Sequence, residues 1–291
     1  MWRKPILLAL LLAAGFFWLT RPQTPGSHDL ANLTPDVANG ELVFHAASCA
    51  ACHGEDLRGG LELASPFGLF RVPNISPDAE TGIGGWTLGE FHNAMQQGVS
   101  PAGRHYYPAF PYTSYARMTA QDVADLKAYI DQQTPVQNLV AGHELAFPWN
   151  IRRGIGLWKR RYLDPSLRSL LADDADPVLS RGRYLAEGAG HCTECHTARD
   201  RFGGILRQRW LAGAPSLDGE GAAPNITPHA DGLAAWSLKD ITYYLEKGFT
   251  PDFDTVGGSM VKVQENLARL PAGDLEALAV YLKSLPPQSN N

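Results

Sequence analysis

Cys49-Ala50-Ala51-Cys52-His53 and Cys192-Thr193-Glu194-Cys195-His196 are two copies of one pentapeptide pattern, and together they use all four cysteines of the chain. C-x-x-C-H is the attachment pattern of a c-type haem. Two thiols spaced by two residues each form a thioether with one vinyl group, and the next residue, on the same turn, reaches the iron. His53 and His196 are then the proximal ligands, and Cys49, Cys52, Cys192 and Cys195 carry two covalently bound haem c groups. Three other readings of the cysteines are weaker. A redox C-x-x-C does not need the histidine twice. A zinc ribbon separates its two C-x-x-C pairs by roughly 15–20 residues, whereas these pairs lie in opposite halves. Long-range disulfides suit an exported chain, but they leave the histidine after each pair unexplained.

Working outward from the motifs, the halves repeat. Asn74-Ile75-Ser76-Pro77 matches Asn225-Ile226-Thr227-Pro228, and Trp86-Thr87-Leu88-Gly89-Glu90-Phe91 matches Trp236-Ser237-Leu238-Lys239-Asp240-Ile241. Gly98-Val99-Ser100-Pro101 matches Gly248-Phe249-Thr250-Pro251. The spacing predicts one amphipathic helix in each half, N-capped by Thr87 or Ser237 and ended by Gly98 or Gly248. Asp122, Leu126, Tyr129 and Ile130 correspond to Asp274, Leu278, Tyr281 and Leu282, apolar positions at helical spacing in a terminal helix. Thr119 with Asp122 resembles a capping box, Asp standing in the usual Glu or Gln place. Residues 40–47 and 182–189 read as N-terminal helices, the first after Thr34-Pro35-Asp36, read as a cap with proline at N1. Each half is therefore helix, C-x-x-C-H, long loop, capped helix, loop and terminal helix: an all-α unit used twice.

A chain of 291 residues has room for two modest domains at roughly 100–200 residues each. Hydrophobic residues at 44% and seven Trp can fill real cores, so 29 Gly and 21 Pro point to ordered loops rather than disorder. Lys and Arg number 25 against 30 Asp and Glu, a net charge of -5, which lacks the basic footprint of a nucleic-acid binder. Residues 1–20 read MWRKPILLALLLAAGFFWLT, with Arg3 and Lys4 ahead of an uncharged, mostly apolar run, the layout of an export signal or signal anchor. The run ends in Phe16, Phe17, Trp18, Leu19 and Thr20 without a small-residue cleavage site, which favours a retained transmembrane signal anchor over cleavage. At 1.5 Å per residue it covers about 24 Å, with Trp2 and Trp18 placed for the two interfaces of a hydrocarbon core roughly 30 Å thick. The body is then expected on the periplasmic face of a bacterial inner membrane. The expected layout is a signal anchor at 1–22, a first domain at 23–133, a linker strap at 134–176 and a second domain at 177–291. Within the linker, Arg152, Arg153, Lys159, Arg160, Arg161 and Arg168 interleave with Trp149, Trp158 and Tyr162. This reads as a strap with aromatics between the domains and charges in water, or as a basic patch that steers an acidic partner or lies on anionic headgroups.

The element order resembles the class I cytochrome c fold, used in tandem. More narrowly, PNISPDAETGIGGWT (73–87), SPAGRHYYPAFPYTSYARMT (100–119), GHCTECHT (190–197) and VGGSMVKVQENLARL (256–270) resemble the membrane-associated cytochrome c subunits of bacterial alcohol, gluconate and aldehyde dehydrogenases. The likeness covers about residues 35–285 and departs from the three-haem members in having two haem motifs. It implies a dihaem electron carrier between a periplasmic dehydrogenase and a membrane electron acceptor or donor of the respiratory chain. It does not say which dehydrogenase.

A low-spin carrier needs a second axial ligand, and Met/His coordination raises its potential. Of the four methionines, Met1 leads the chain, leaving Met95, Met118 and Met260. Met260 follows the middle helix in the run Gly257-Gly258-Ser259, where the resemblance also places the ligand. In the first half the same count from Pro101 lands on Phe110, which cannot bind iron. Met95 corresponds to Leu245 and reads as a core side chain. Met118, at the end of the loop 100–117, stands where relatives carry methionine and is the expected first-haem ligand. His105, His92 or an open position are the alternatives. An open first haem would make the chain an enzyme, such as a peroxidase-like dihaem protein, whereas a carrier has no catalytic residues; a Cys-ligated thiosulfate-oxidising site is disfavoured because no cysteine is spare. Trp86 and Trp236 precede the middle helices and read as packing residues or as indole donors to a haem propionate. Asn74 and Asn225 read as Asx-turns.

Overall fold

The computed structural model describes residues 3–24, 30–164, 176–216 and 221–290. Trp2 and Arg168 lie outside the described residues. The first domain contains helices α2 (Val37–Ala46), α3 (Cys49–His53), α4 (Leu88–Gln97), α5 (Tyr112–Tyr115) and α6 (Ala120–Asp131). The linker contributes α7 (Ile155–Tyr162), and the second domain contains α8 (Pro177–Tyr184), α9 (Thr193–His196), α10 (Leu238–Lys247), α11 (Met260–Leu267) and α12 (Ala272–Ser284).

The first and last helices of each domain cross at a glycine. A Cβ added to Gly40 would lie 2.1 Å from the Asp125 carbonyl oxygen, and one added to Gly182 would lie 1.9 Å from that of Ala277. Only a residue without a side chain lets α2 meet α6, and α8 meet α12, at backbone distance. Val43 and Phe44 then pack on Val123, Leu126 and Ile130 within a buried core that runs through both domains.

The middle helices are bounded as the sequence predicts. Thr87 and Ser237 each close a capping box with Glu90 or Asp240, and Gly98 and Gly248 end the helices in the left-handed region. At α2 the cap is Asp36, whose carboxylate accepts from the Ala38 and Asn39 amides, so Pro35 precedes the cap rather than occupying N1. The cap with proline at N1 occurs at α8, where Asp176 precedes Pro177. Thr119 accepts from the Asp122 amide at 3.0 Å, but Asp122 turns its carboxylate to Asn39 and Tyr184 instead of closing a box.

Between Gly40 and Cys49 lie eight residues, and between Gly182 and Cys192 nine. The extra residue is absorbed by a π-helical turn at Leu185–Ala189, in which the Gly190 amide donates to the Leu185 carbonyl at 2.7 Å.

The expectation of an all-α fold is corrected to a mostly helical one. β1 (Glu62–Ser65) and β2 (Gly68–Arg71) form an antiparallel hairpin in the first long loop, and the linker adds β3 (Glu144–Leu145) to its edge. A smaller pair, β4 (Ala214–Pro215) and β5 (Ala222–Ala223), occupies the second long loop. The linker is thus built into both domains: Trp158 packs edge-on to Tyr112 and donates its indole N–H to Phe202 O at 2.9 Å.

Ahead of the first domain, α1 (Arg3–Leu19) is a 17-residue helix, exposed throughout residues 4–14. Among the described residues no helix is long and apolar enough to cross a membrane.

Candidate haem sites

Each motif begins after a residue in the left-handed region, Ser48 at φ 48° and His191 at φ 38°, and continues as one helical turn. The turn sets two thiols and a histidine on adjoining positions. All four cysteines are free thiols, which removes the disulfide reading. Burial pushes the Cys49 and Cys192 thiols up to about 12, with the second thiol of each pair adding to the effect.

The histidines are oriented identically. His53 Nδ1 lies 2.8 Å from Pro73 O, and His196 Nδ1 lies 2.7 Å from Pro224 O. With Nδ1–H donated to a carbonyl, the lone pair sits on Nε2, the tautomer and orientation that iron ligation requires. Burial pushes the His53 imidazole down to about 4 and lowers His196 as well, against the opposing effect of each carbonyl bond. Both rings are held neutral. Paired thiols beside a neutral, oriented imidazole, in both halves, fit haem c.

The proline carbonyls are themselves positioned. Asn74 Oδ1 accepts from the Ser76 amide at 2.9 Å, while its Nδ2 donates to Thr81 Oγ1 and to Val136 O at 2.7 Å. Asn225 Oδ1 accepts from the Thr227 amide at 2.8 Å, and its Nδ2 donates to Gln288 O at 2.6 Å. The expected Asx-turns are formed, and each amide also ties its loop to the chain beyond the terminal helix. That tie holds the adjoining proline carbonyl against the histidine.

Met260 opens α11 and is partly buried against the core. Met118 is 4% exposed; its carbonyl accepts from Gln96 Nε2 at 2.7 Å, and its Cγ lies 3.9 Å from where a Cβ on Gly188 would stand. Met95 is buried in α4, as its match to Leu245 predicts. His105 Nε2 is committed to Thr20 O at 2.8 Å, and the ring is buried beside the end of α1. Trp86 and Trp236 are partly buried against the core, and Trp236 packs edge-on to Tyr244 at 5.5 Å.

The two motifs face a shared interface. α11 packs on α2 and α3 of the first domain, and α5 packs on the π-helical turn of the second. Tyr115 stands edge-on to His191 at 5.5 Å, the residue before Cys192. Thr113 and Ser114 donate to Glu194, inside the second motif, at 2.6 and 2.8 Å, and Arg199 pairs with the same carboxylate. Burial would raise the Glu194 carboxyl, but Arg199 and the two hydroxyls outweigh it and hold it below its usual range. His45 Nδ1 lies 3.0 Å from Asn266 Oδ1 across the same interface. Sequence reading missed these contacts; the one-residue insertion before Cys192 was the visible signal.

With this geometry in hand, the comparisons with known proteins are specific. The family profile described as "Cytochrome c" matches residues 37–134. A "Diheme cytochrome c-type" protein of Cereibacter sphaeroides is 48% identical over 96% of this chain and 96% of its own length. The "Fructose dehydrogenase cytochrome subunit" of Gluconobacter japonicus is 34% identical over 98% of this chain and 59% of its own. The "Gluconate 2-dehydrogenase cytochrome c subunit" of Pantoea cypripedii is 35% identical over 89% of this chain and 63% of its own. The chain thus spans under two thirds of these dehydrogenase subunits and nearly all of the dihaem protein. It belongs to the cytochrome c family in its dihaem form, with one haem c covalently bound in each half.

Proposed function

We propose that the chain is an electron-transfer subunit that accepts electrons from a periplasmic dehydrogenase and passes them to a membrane acceptor of the respiratory chain. The observation that carries this reading is the interface itself: α11 lies on the first motif's helix, while Tyr115 lies against the residue that opens the second motif. Each haem, when bound, supplies an iron that takes up and releases one electron. The chain's residues hold that cofactor and its surroundings: Cys49, Cys52, Cys192 and Cys195 attach it, His53 and His196 ligate it, and Pro73 O and Pro224 O fix the imidazoles. Met260 and Met118 are the sixth ligands in this reading, and Trp86 and Trp236 cover the haem edges. The dehydrogenase donor is supported by relatives that are cytochrome subunits of dehydrogenases. The anchor is supported by α1, an uncharged apolar helix beyond Lys4 that is bare of protein along most of its length.

A second reading, a peroxidase-like enzyme with an open first haem, is favoured by Phe110 standing in the register of Met260. The far-red methionine-to-iron charge-transfer band, quantified per haem, separates the two, together with carbon monoxide uptake by the reduced protein. A carrier shows two such bands and ignores carbon monoxide. Met260→Ala is expected to remove one band and admit carbon monoxide at one haem. An unchanged spectrum refutes the Met260 assignment, and carbon monoxide uptake by the unsubstituted protein turns the function to the enzyme reading.

A further inference from the structure

The linker from 145 to 163 carries five cations, Arg152, Arg153, Lys159, Arg160 and Arg161, and no carboxylate; the nearest acids in sequence are Glu144 and Asp164. Several of these cations close the ends of helices. The last carbonyls of a helix have no partner within it. Arg153 donates to Phe17 O at 2.7 Å and to Thr20 Oγ1 at 3.1 Å, and Arg160 donates to Leu19 O at 2.7 Å, so both grip the C-terminal end of α1. Thr20 is fully buried there, and a Cβ on Gly156 would lie 2.6 Å from Thr20 Cα. Helix α7 therefore runs directly against the end of α1. Lys159 does the same service for α4, donating to Gln97 O and to Gly98 O at 2.7 Å.

This use of Lys159 inverts the polarity of the linker. The lysine is 8% exposed, whereas Leu157, two residues earlier, is 45% exposed, Ile151 is 49% exposed and Phe147 is 79% exposed. Large apolar side chains stand outside while a charge stands inside. The helix that the linker grips is also bare: Trp18 is 60% exposed, with the Arg21 guanidinium 5.6 Å from its ring centroid. Exposed apolar residues interleaved with arginines, continuous with the end of an apolar helix, make the composition of a bilayer interface.

We infer that residues 147–161 and the end of α1 form a membrane-docking surface for anionic phospholipid. Phe147, Ile151 and Leu157 enter the headgroup layer, and the exposed guanidinium groups of Arg160, beyond its bond to Leu19 O, and of Arg161 meet lipid phosphate. The occupant is argued from charge complementarity, since the strap has cations and no acids, and from continuity with α1. The inference rests on the anchor reading of α1. It adds that the linker, and not the helix alone, sets the distance and tilt of the haem domains relative to the bilayer. At 17 residues α1 measures about 25 Å, short of a hydrocarbon core of roughly 30 Å, so interfacial residues at its end lie close to the lipid in any insertion.

The test uses the full-length holoprotein, in which the four native cysteines are thioether-bound and an introduced cysteine is the one free thiol. Ile151→Cys and Leu157→Cys, with Glu246→Cys at an exposed position of α10 as control, are reconstituted in three environments. These are detergent, nanodiscs of phosphatidylcholine, and nanodiscs containing one third phosphatidylglycerol, and the rate of labelling by a water-soluble maleimide is followed. Labelling at 151 and 157 is expected to slow about tenfold in the anionic nanodiscs relative to detergent, partly reversed by salt, with the control unchanged. Co-elution with nanodiscs but unslowed labelling at 151 and 157 overturns the inference while the anchor stands. Failure to co-elute overturns both. Equal protection in both lipids overturns the recognition of anionic headgroups, and protection that appears only when a purified dehydrogenase partner is added assigns the surface to a protein instead.

Discussion

Removing Arg117 should loosen the joint between the two haem domains by an amount the structure lets one work out. Arg117 lies in the first domain between α5 and α6, and its Nη1 lies 3.2 Å from Glu187 Oε2 in the π-helical turn of the second. The side chains are 13% and 5% exposed. Tyr281 donates to the other carboxylate oxygen at 2.7 Å, and the guanidinium lies 5.4 Å from the Trp210 ring centroid. Breaking one partner of a buried pair costs about 3–5 kcal/mol, mostly because the other charge is left alone. Arg117 Nε has no partner among the described residues, and Glu187 keeps its bond from Tyr281, so the lower figure applies. Arg117→Met, which keeps the aliphatic bulk, should therefore cost about 3 kcal/mol, a shift of more than a hundredfold in the folding equilibrium. Glu187→Gln keeps an acceptor for Tyr281 and should cost about 1–2 kcal/mol. The double variant should cost less than the sum by about 1–2 kcal/mol, because the second change removes a charge that the first had orphaned. Denaturant unfolding of the holoprotein, followed at once by tryptophan fluorescence and haem absorption, measures these values. Because the pair spans the domains, Arg117→Met should also separate unfolding into two transitions. Additive effects below about 0.5 kcal/mol each would refute the reasoning, since surface pairs behave that way.

Gly182→Ala places a methyl 1.9 Å from the Ala277 carbonyl oxygen, and backbone on both sides cannot yield. Overpacking should cost about 2 kcal/mol and lower the melting temperature of the second domain by roughly 10 °C; an unchanged midpoint would contradict the crossing of α8 and α12. His105 is held below its ordinary pKa by burial, against the bond to Thr20 O and with Lys159, Arg153 and Arg152 pushing the same way as burial. The folded state binds fewer protons there than the unfolded state, so its contribution is present above about pH 6.5 and is lost as pH falls toward the depressed folded value. Melting temperatures taken from about pH 7 to about pH 5 should fall more steeply for the parent chain than for His105→Gln, and parallel curves would remove His105 from this role.

What the sequence carried most clearly was the repeated unit. Cys49 to His53, Thr87 to Gly98 and Asp122 to Ile130 are local patterns, each decided within a turn or two of helix, and each recurs in the second half. The strands of the long loops and of the linker were illegible for a physical reason: two to four residues are too few to establish a period of two. The bond between His45 and Asn266 was equally hidden, because 221 positions separate the partners and neither residue type announces a contact. Asn74 and Asn225 were half legible. Their Asx-turns follow from local chemistry, but the amides that reach Val136 O and Gln288 O depend on where the terminal helix delivers the chain. The basic stretch 149–161 was visible as charge, while its use in closing the ends of α1 and α4 was not, since an arginine that caps a distant helix reads the same as one in water.

The interface follows from the duplication. The N-terminal helix of each half meets the segment after the middle loop of the other: Glu187 faces Arg117, and at the matching place His45 faces Asn266. Two copies of one surface packed against each other give a self-complementary contact, the arrangement of a twofold dimer built within one chain. Such a contact brings the same element of both copies to the centre, and here that element is the helix that ends in C-x-x-C-H. Duplication alone therefore sets the two haem motifs beside each other. Once the copies are tied, each can change on its own side, and the substitutions lie where the contact is made. The π-helical turn lengthens the second copy at Leu185–Ala189, Glu194 stands inside the second motif where the first has alanine, and Phe110 stands in the first half at the register of Met260. Two equal haem pockets would carry electrons equally well both ways; unequal surroundings at the joint are the feature of this chain that can set the haems to different potentials.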